Sequence, residues 1–277
     1  MNRKTDRTSP IAVFDSGLGG ISILRVLRNL MPNENYIYYG DSANAPYGEK
    51  THDEVRAAAE RVTKLLLSEG AKAVVIACNT ATSAAAEYLR AINPNLPIIG
   101  MEPAVKPAAC CSDHPTVLVM ATPLTLKEEK FRLLTKKYRD CASFIDVPCH
   151  GLVEMVESGV TSGNEMNSLL HGILDPYTIG QKIDAAVLGC THYIHARAAI
   201  ENVLAENLFS PESETFDSHG NKHVQIFDGA LGTAKETERR LNEADMLNTS
   251  DTRGSVKIYN SSEDTALLER SYKLLNI

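Results

Sequence analysis

Short apolar or alternating runs recur along the chain, at residues 11–14, 36–39, 73–77, 98–99, 116–120, 142–147, 185–189, 224–227 and 255–259. Apolar runs this short, closed by glycine or polar residues, are the mark of strands buried in a parallel sheet. Between them lie stretches with helical spacing, at 21–30, 52–69, 81–90, 127–138, 152–157 and 164–174, one reaching about Leu241, and one at the carboxyl end. Strand alternating with helix predicts an α/β fold of two similar domains, each a parallel sheet flanked by helices. The polar stretch from Ser210 to Lys222 reads as a loop.

The pattern repeats. Residues 73–80 read AVVIACNT and residues 185–193 read AAVLGCTHY, so that aligning Cys78 with Cys190 pairs Ala73 with Ala185, Val75 with Val187 and Ile76 with Leu188. The strand at 116–120 and its turn Thr122-Pro123-Leu124-Thr125 parallel the start of the chain, with threonines where the first unit has Asp15 and Ser16. The elements after Ser210 have no counterpart in the second unit. They are therefore expected to rejoin the first, giving one domain of 9–100 plus 210–277 and another of 101–209.

At 277 residues the chain is long enough for two such cores. A formal net charge of -7 with interspersed signs provides no basic patch for a nucleic acid. The longest apolar runs fall far short of a membrane span, and the polar opening MNRKTDRTSP lacks a signal-peptide core, which points to the cytoplasm. Cysteines 78, 110, 111, 141, 149 and 190 have no disulfide-framework spacing and are read as thiols. Without a C-x-x-C pair no metal site is expected.

Three stretches carry candidate chemistry. Asp15-Ser16-Gly17-Leu18-Gly19-Gly20 lies between a strand and a helix and presents backbone N–H groups to an anion. Ser22 occupies the third place of a dinucleotide fingerprint, so a carboxylate fits that turn better than a nucleotide. Asn44-Ala45-Pro46-Tyr47-Gly48 reads as a binding loop after a strand. Cys78 and Cys190 close matching strands, and each has a nearby helper, Asp15 for one and His192 for the other. A thiol of ordinary pKa is mostly protonated at neutral pH, so a neighbour that shares its proton makes it a usable base. Ser16, Asn79, Thr80 and Thr191 suit the ammonium and carboxylate of an amino acid. Each feature also has a plain structural reading: packed core thiols, helix caps and a satisfied histidine. Two thiols facing across a cleft between the domains would remove a proton from one face of a carbon acid and deliver another to the opposite face. That inverts a stereocentre with no cofactor.

Phe14-Asp-Ser-Gly-Leu-Gly-Gly20, Asp41 with Pro46-Tyr-Gly-Glu-Lys50, Ala77-Cys-Asn-Thr80, Val153-Glu-Met-Val-Glu-Ser-Gly159 and Leu188-Gly-Cys-Thr-His-Tyr193 together resemble the glutamate racemases of the aspartate/glutamate racemase superfamily. The resemblance implies glutamate as substrate, racemised for peptidoglycan, with Cys78 and Cys190 as the acid/bases. By the same resemblance Cys78 serves D-glutamate and Cys190 serves L-glutamate, with Asp15 and His192 as their helpers. It also implies Asp15, Ser16, Tyr47, Gly48, Asn79, Thr80, Thr191 and His192 as substrate contacts and Glu157 as a supporting acid. It further implies a two-domain fold rejoined by the C-terminal segment, and a homodimer; some members respond to a cell-wall precursor. Ile194-His195 departs from the usual proline and aliphatic residue there. Spacing alone leaves open aspartate or another small acid as substrate, a binding protein without chemistry, and a one-thiol hydrolase or decarboxylase.

Overall fold

The computed structural model describes residues 5–207 and 224–276. The expected loop at 210–222 lies outside the described residues. Nine strands are present among the described residues: β1 (Ile11–Asp15), β2 (Tyr36–Gly40), β3 (Ala73–Ile76), β4 (Ile98–Gly100), β5 (Thr116–Ala121), β6 (Ser143–Pro148), β7 (Ala185–Leu188), β8 (Gln225–Asp228) and β9 (Val256–Asn260). They form two sheets, ordered β4-β3-β1-β2-β9 and β6-β5-β7-β8. Every pairing is parallel. Helices lie between the strands in chain order. The central strands β1, β3 and β7 are buried at every residue, as expected of strands covered on both faces.

The chain divides into two compact units, Met1–Glu102 with Ala230–Ile277, and Pro103–Gly229. This corrects one expectation. The sequence pattern puts the strand near 224–227 in the first domain, but β8 pairs with β7 in register from Ala185↔Gln225 to Leu188↔Asp228. The physical reason is visible in the strand order. Read outward from its matching strands, the second sheet runs β8-β7-β5-β6, as the first runs β4-β3-β1-β2. β8 is thus the counterpart of β4, and without it β7 would be left an open edge. Only β9, the helix Ala230–Glu243 and the helix Thr265–Leu275 return to the first unit.

Smaller differences have local causes. The helix expected over 127–138 is two helices, Pro123–Lys127 and Glu129–Lys136, because Glu128 is extended (ψ 135°) between them. The helix Asn164–Thr178 runs past its expected end and carries Pro176 in its last turn. A short helix, Val105–Ala109, has no forecast. The helix expected to start at 81 begins at Asn79, with Cys78 as its cap.

The first unit is fastened by a buried ion pair. Lys72 Nζ lies 2.6 Å from Glu34 Oε2 with both side chains almost wholly buried, and it also donates to the carbonyls of Arg7 (2.5 Å) and Met246 (2.8 Å). The other oxygen of Glu34 accepts the Asn248 N–H at 2.7 Å. One pair thereby ties the segments at Arg7 and at Met246 and Asn248 to the residue just before β3.

Candidate active site

In the first unit, β1 delivers Asp15 at its carboxyl end, fully buried. The Gly20 N–H donates to Asp15 Oδ2 at 2.7 Å and closes the glycine-rich turn over it. Glycine is required at 20 because a Cβ there would lie 2.7 Å from the Asp15 Cβ and 2.9 Å from that of Ala77. The Tyr38 hydroxyl holds the same turn by donating to the Gly17 carbonyl at 2.6 Å.

β1 and β3 pair with Phe14 opposite Ile76, so Ser16 and Cys78 stand at matching positions just beyond the strands. Cys78 caps the helix Asn79–Ile92, and its Sγ accepts the Ala81 N–H at 3.4 Å. The Ser16 hydroxyl lies 3.9 Å from that sulfur. A sulfur at a helix amino terminus sits where backbone amides favour negative charge. Asn79 and Thr80 follow in the first helical turn, both buried.

Tyr47 and Gly48 lie in the loop after β2, in the second of two short turns, Ser42–Asn44 and Tyr47–Glu49. Asp41 organises this loop from beneath. It is 1 % exposed, and its carboxylate accepts the Tyr47 hydroxyl at 2.6 Å and Asn44 Nδ2 at 3.0 Å, with Arg61 Nη2 at 3.4 Å. Burial, and then the Asp41 charge, push the Tyr47 phenol well above its usual range, so it stays a donor. The Asp41 N–H bonds the Asp15 carbonyl at 3.0 Å, which joins this loop to the glycine-rich turn.

The second unit repeats the arrangement with different neighbours around the sulfur. Cys190 stands at the amino end of the helix Thr191–His195, just beyond β7. Gly189 allows this, since a Cβ there would meet the Met120 carbonyl oxygen at 2.7 Å. The Cys190 sulfur is 3.7 Å from His192 Nδ1, and His192 Nε2 is 2.5 Å from Glu157 Oε1. Glu157 ends the helix Leu152–Glu157, which starts from Gly151 in a left-handed conformation (φ 77°). Burial alone would push the His192 imidazole down. Hydrogen bonds to Cys190 and Glu157, with their charges, outweigh it and hold the ring well above the ordinary histidine range. Carboxylate, imidazole and sulfur thus form a line along which a proton can move. Thr191 is buried beside them.

Each unit therefore assembles its own candidate residues: Asp15, Ser16, Tyr47, Gly48, Cys78, Asn79 and Thr80 in the first, and Glu157, Cys190, Thr191 and His192 in the second. Two neighbours have no role that the sequence predicts. Asp41 closes the second strand after Gly40 and falls inside a motif, but spacing assigns it no role. Cys149 is the second buried thiol of the second unit, beside Cys190, and its Sγ donates to the Val147 carbonyl at 3.4 Å. Burial, and then the Cys190 charge, push it up and leave it a packed thiol.

The sequence pattern of the Asp/Glu/Hydantoin racemase family matches residues 21–230, more than half of the chain. The chain belongs to the Asp/Glu/Hydantoin racemase family. The family match takes in Cys78, Glu157, Cys190 and His192 and begins shortly after Asp15 and Ser16. Within this family, the glutamate racemase of Clostridium perfringens is 46 % identical over 271 residues, covering 98 % of either chain. A solved glutamate racemase of Francisella tularensis, in complex with D-glutamate, is similar with a TM-score of 0.80 and 29 % identity, over 98 % of this chain and 95 % of that one. The Escherichia coli glutamate racemase, in complex with L-glutamate and the activator UDP-MurNAc-ala, is similar with a TM-score of 0.75 and 25 % identity over 95 % of each chain. No helix among the described residues is long and apolar enough to cross a membrane.

Proposed function

We propose that this chain is a glutamate racemase, an isomerase that interconverts L- and D-glutamate by proton transfer between two thiols and needs no cofactor. The observation that carries the reading is the pair of cysteines at equivalent positions of two like sheets, each standing at the amino end of the helix after its strand. Each has its own polar neighbours, the Ser16 hydroxyl for Cys78, and the His192–Glu157 pair for Cys190. Relatives bound to D-glutamate and to L-glutamate support the choice of substrate.

In the forward direction the Cys190 thiolate takes the α-proton of L-glutamate. The electron pair left on Cα spreads into the adjacent carboxylate, and the Cys78 thiol gives its proton to the opposite face. Cys190 is then a thiol and Cys78 a thiolate, the pair needed for the reverse reaction. His192, oriented by Glu157, and Asp15 return the thiols to their starting states by proton exchange. Ser16, Tyr47, Gly48, Thr80 and Thr191 hold the substrate with Asn79. Both polar atoms of the Asn79 amide are buried without a hydrogen-bond partner among the described residues. Such a group costs about 1–3 kcal/mol unless something bonds it, and a substrate carboxylate or ammonium does so. The reading carries with it a cytoplasmic homodimer that supplies D-glutamate for peptidoglycan.

The test is optical rotation of L-glutamate with purified, dialysed protein after exhaustive chelation. Rotation should decay to zero, and L-aspartate under the same conditions should keep its rotation. Unchanged L-glutamate, or an activity that chelation removes and zinc restores, would overturn the reading.

A further inference from the structure

The loop that carries Tyr47 and Gly48 is held on one side by Asp41, as described, and on the other by residues some 220 positions away in sequence. β9 lies beside β2 in parallel, with Tyr39 opposite Tyr259 and Gly40 opposite Asn260. Both strands therefore end at the same level, and the chain leaving β2 passes the end of β9. Three hydrogen bonds join them there. Asn260 Nδ2 donates to Ser42 Oγ at 2.9 Å, the Ala43 N–H donates to Ser261 Oγ at 3.0 Å, and the Ser261 N–H donates to the Gly40 carbonyl at 2.9 Å. The orientation of the Asn260 amide is fixed as well, because its Oδ1 accepts the Ser262 N–H at 2.8 Å and so turns its nitrogen toward Ser42. The approach depends on Gly40. A Cβ there would stand 3.0 Å from Asn260 Nδ2 and 2.7 Å from the Gly17 carbonyl oxygen, the atom that anchors the glycine-rich turn.

We infer that Asn260 and Ser261 are positioning residues for catalysis: pinned to Gly40, Ser42 and Ala43, they fix the loop 41–49 on which Tyr47 and Gly48 meet the substrate. The inference rests on the glutamate racemase reading for what that loop holds. The return of the C-terminal segment to the first sheet thus does more than cover an edge. It sets the outer wall of a substrate loop whose inner wall is the Asp41 carboxylate. Asn260 and Ser261 touch no reacting atom in this account. A loop that loses one pin must be ordered by substrate on binding, which raises KM and leaves the bound complex, and hence kcat, nearly as before.

The test compares Asn260→Ala, Ser261→Ala and Ser261→Thr in the full chain by racemisation kinetics, melting temperature and amide exchange over residues 42–49. Loss of one neutral hydrogen bond corresponds to roughly a three- to tenfold loosening. Asn260→Ala and Ser261→Ala should each raise the KM for glutamate by about that factor, with kcat within about twofold of the parent. Exchange over 42–49 should quicken by a like factor, while Ser261→Thr, which keeps the hydroxyl, restores both. Unchanged KM and exchange in both alanine variants would overturn the inference. So would a Ser261→Thr protein as impaired as Ser261→Ala, or kinetic losses that merely follow a fall in melting temperature. Exchange is read without substrate. Faster exchange in a chain that leaves glutamate unchanged would sustain the pin and overturn the proposed reaction alone.

Discussion

Replacing His192 by asparagine separates the two halves of the proposed reaction. Racemisation has an equilibrium constant of one, so every variant has equal kcat/KM in the two directions. Rates at low substrate therefore cannot say which helper serves which face, but isotope effects can. In the proposed reaction the α-deuteron of L-glutamate is removed at Cys190, and that of D-glutamate at Cys78. His192 lies 3.7 Å from the Cys190 sulfur and is fastened to Glu157 at 2.5 Å. Asparagine keeps a polar group there but cannot carry the proton. A positioned acid/base of this kind contributes on the order of 10²–10⁴ in rate. An increase of about 1.4 kcal/mol in the Cys190 barrier, a tenfold effect, already makes that step limiting in both directions. The expected result is a large primary isotope effect on kcat/KM with α-deuterated L-glutamate and a small one with α-deuterated D-glutamate. Asp15→Asn should give the mirror image. Equal effects for both enantiomers in both variants would refute the assignment of one helper to each thiol.

Further outcomes follow from the same geometry. Cys78→Ala and Cys190→Ala should each abolish racemisation, whereas Cys110→Ala, Cys111→Ala and Cys141→Ala should not, because of these five only the first two stand just beyond matching strands, at the amino ends of the helices that follow; a polarimetric assay of the five variants decides it. Lys72→Met leaves the Glu34 carboxylate buried without its cation, which should cost about 3–5 kcal/mol in urea unfolding; a loss below about 1 kcal/mol would mean the pair is replaceable by apolar packing. The third concerns pH. His192 has a folded-state pKa above its unfolded value, so its stabilising effect is full below the ordinary histidine range and fades as pH rises through the raised value. The unfolding free-energy gap between the parent and His192→Asn should accordingly shrink from pH 6 to pH 9, and a gap that widens contradicts the raised pKa.

Much of this was legible in the chain because the signals were local. Strands covered on both faces must be apolar throughout, so 11–14, 73–77 and 185–189 stand out in the chain, and the repeated phrase around Cys78 and Cys190 carries the two-sheet plan. The membership of β8 was not legible. QIFD reads as a strand wherever it pairs, and what places it beside β7 is the empty edge opposite β5, a tertiary fact. Pro176 reads as a helix stop, yet it costs little in a last turn that ends at Thr178. In the site, residues next to a strand end or inside a motif could be named from spacing, as with Asp15, Cys78, Cys190 and His192. The partners that orient them could not. Glu157 reaches His192 from 35 positions away and was named by family resemblance alone. Asn260 and Ser261 meet the 40–43 turn from about 220 away, with no local pattern to mark them.

The central claim is that one thiol takes the proton and a different thiol gives one. Brief incubation of unlabelled L-glutamate with the protein in deuterium oxide, stopped at low conversion, tests it most directly by measuring α-deuterium in each enantiomer separately. The D-glutamate formed should carry solvent deuterium at Cα, since the second thiol has exchanged with solvent, while the recovered L-glutamate stays unlabelled. D-Glutamate that retains the original α-proton would show a single base returning the same proton to the other face, and the two-thiol account would be wrong.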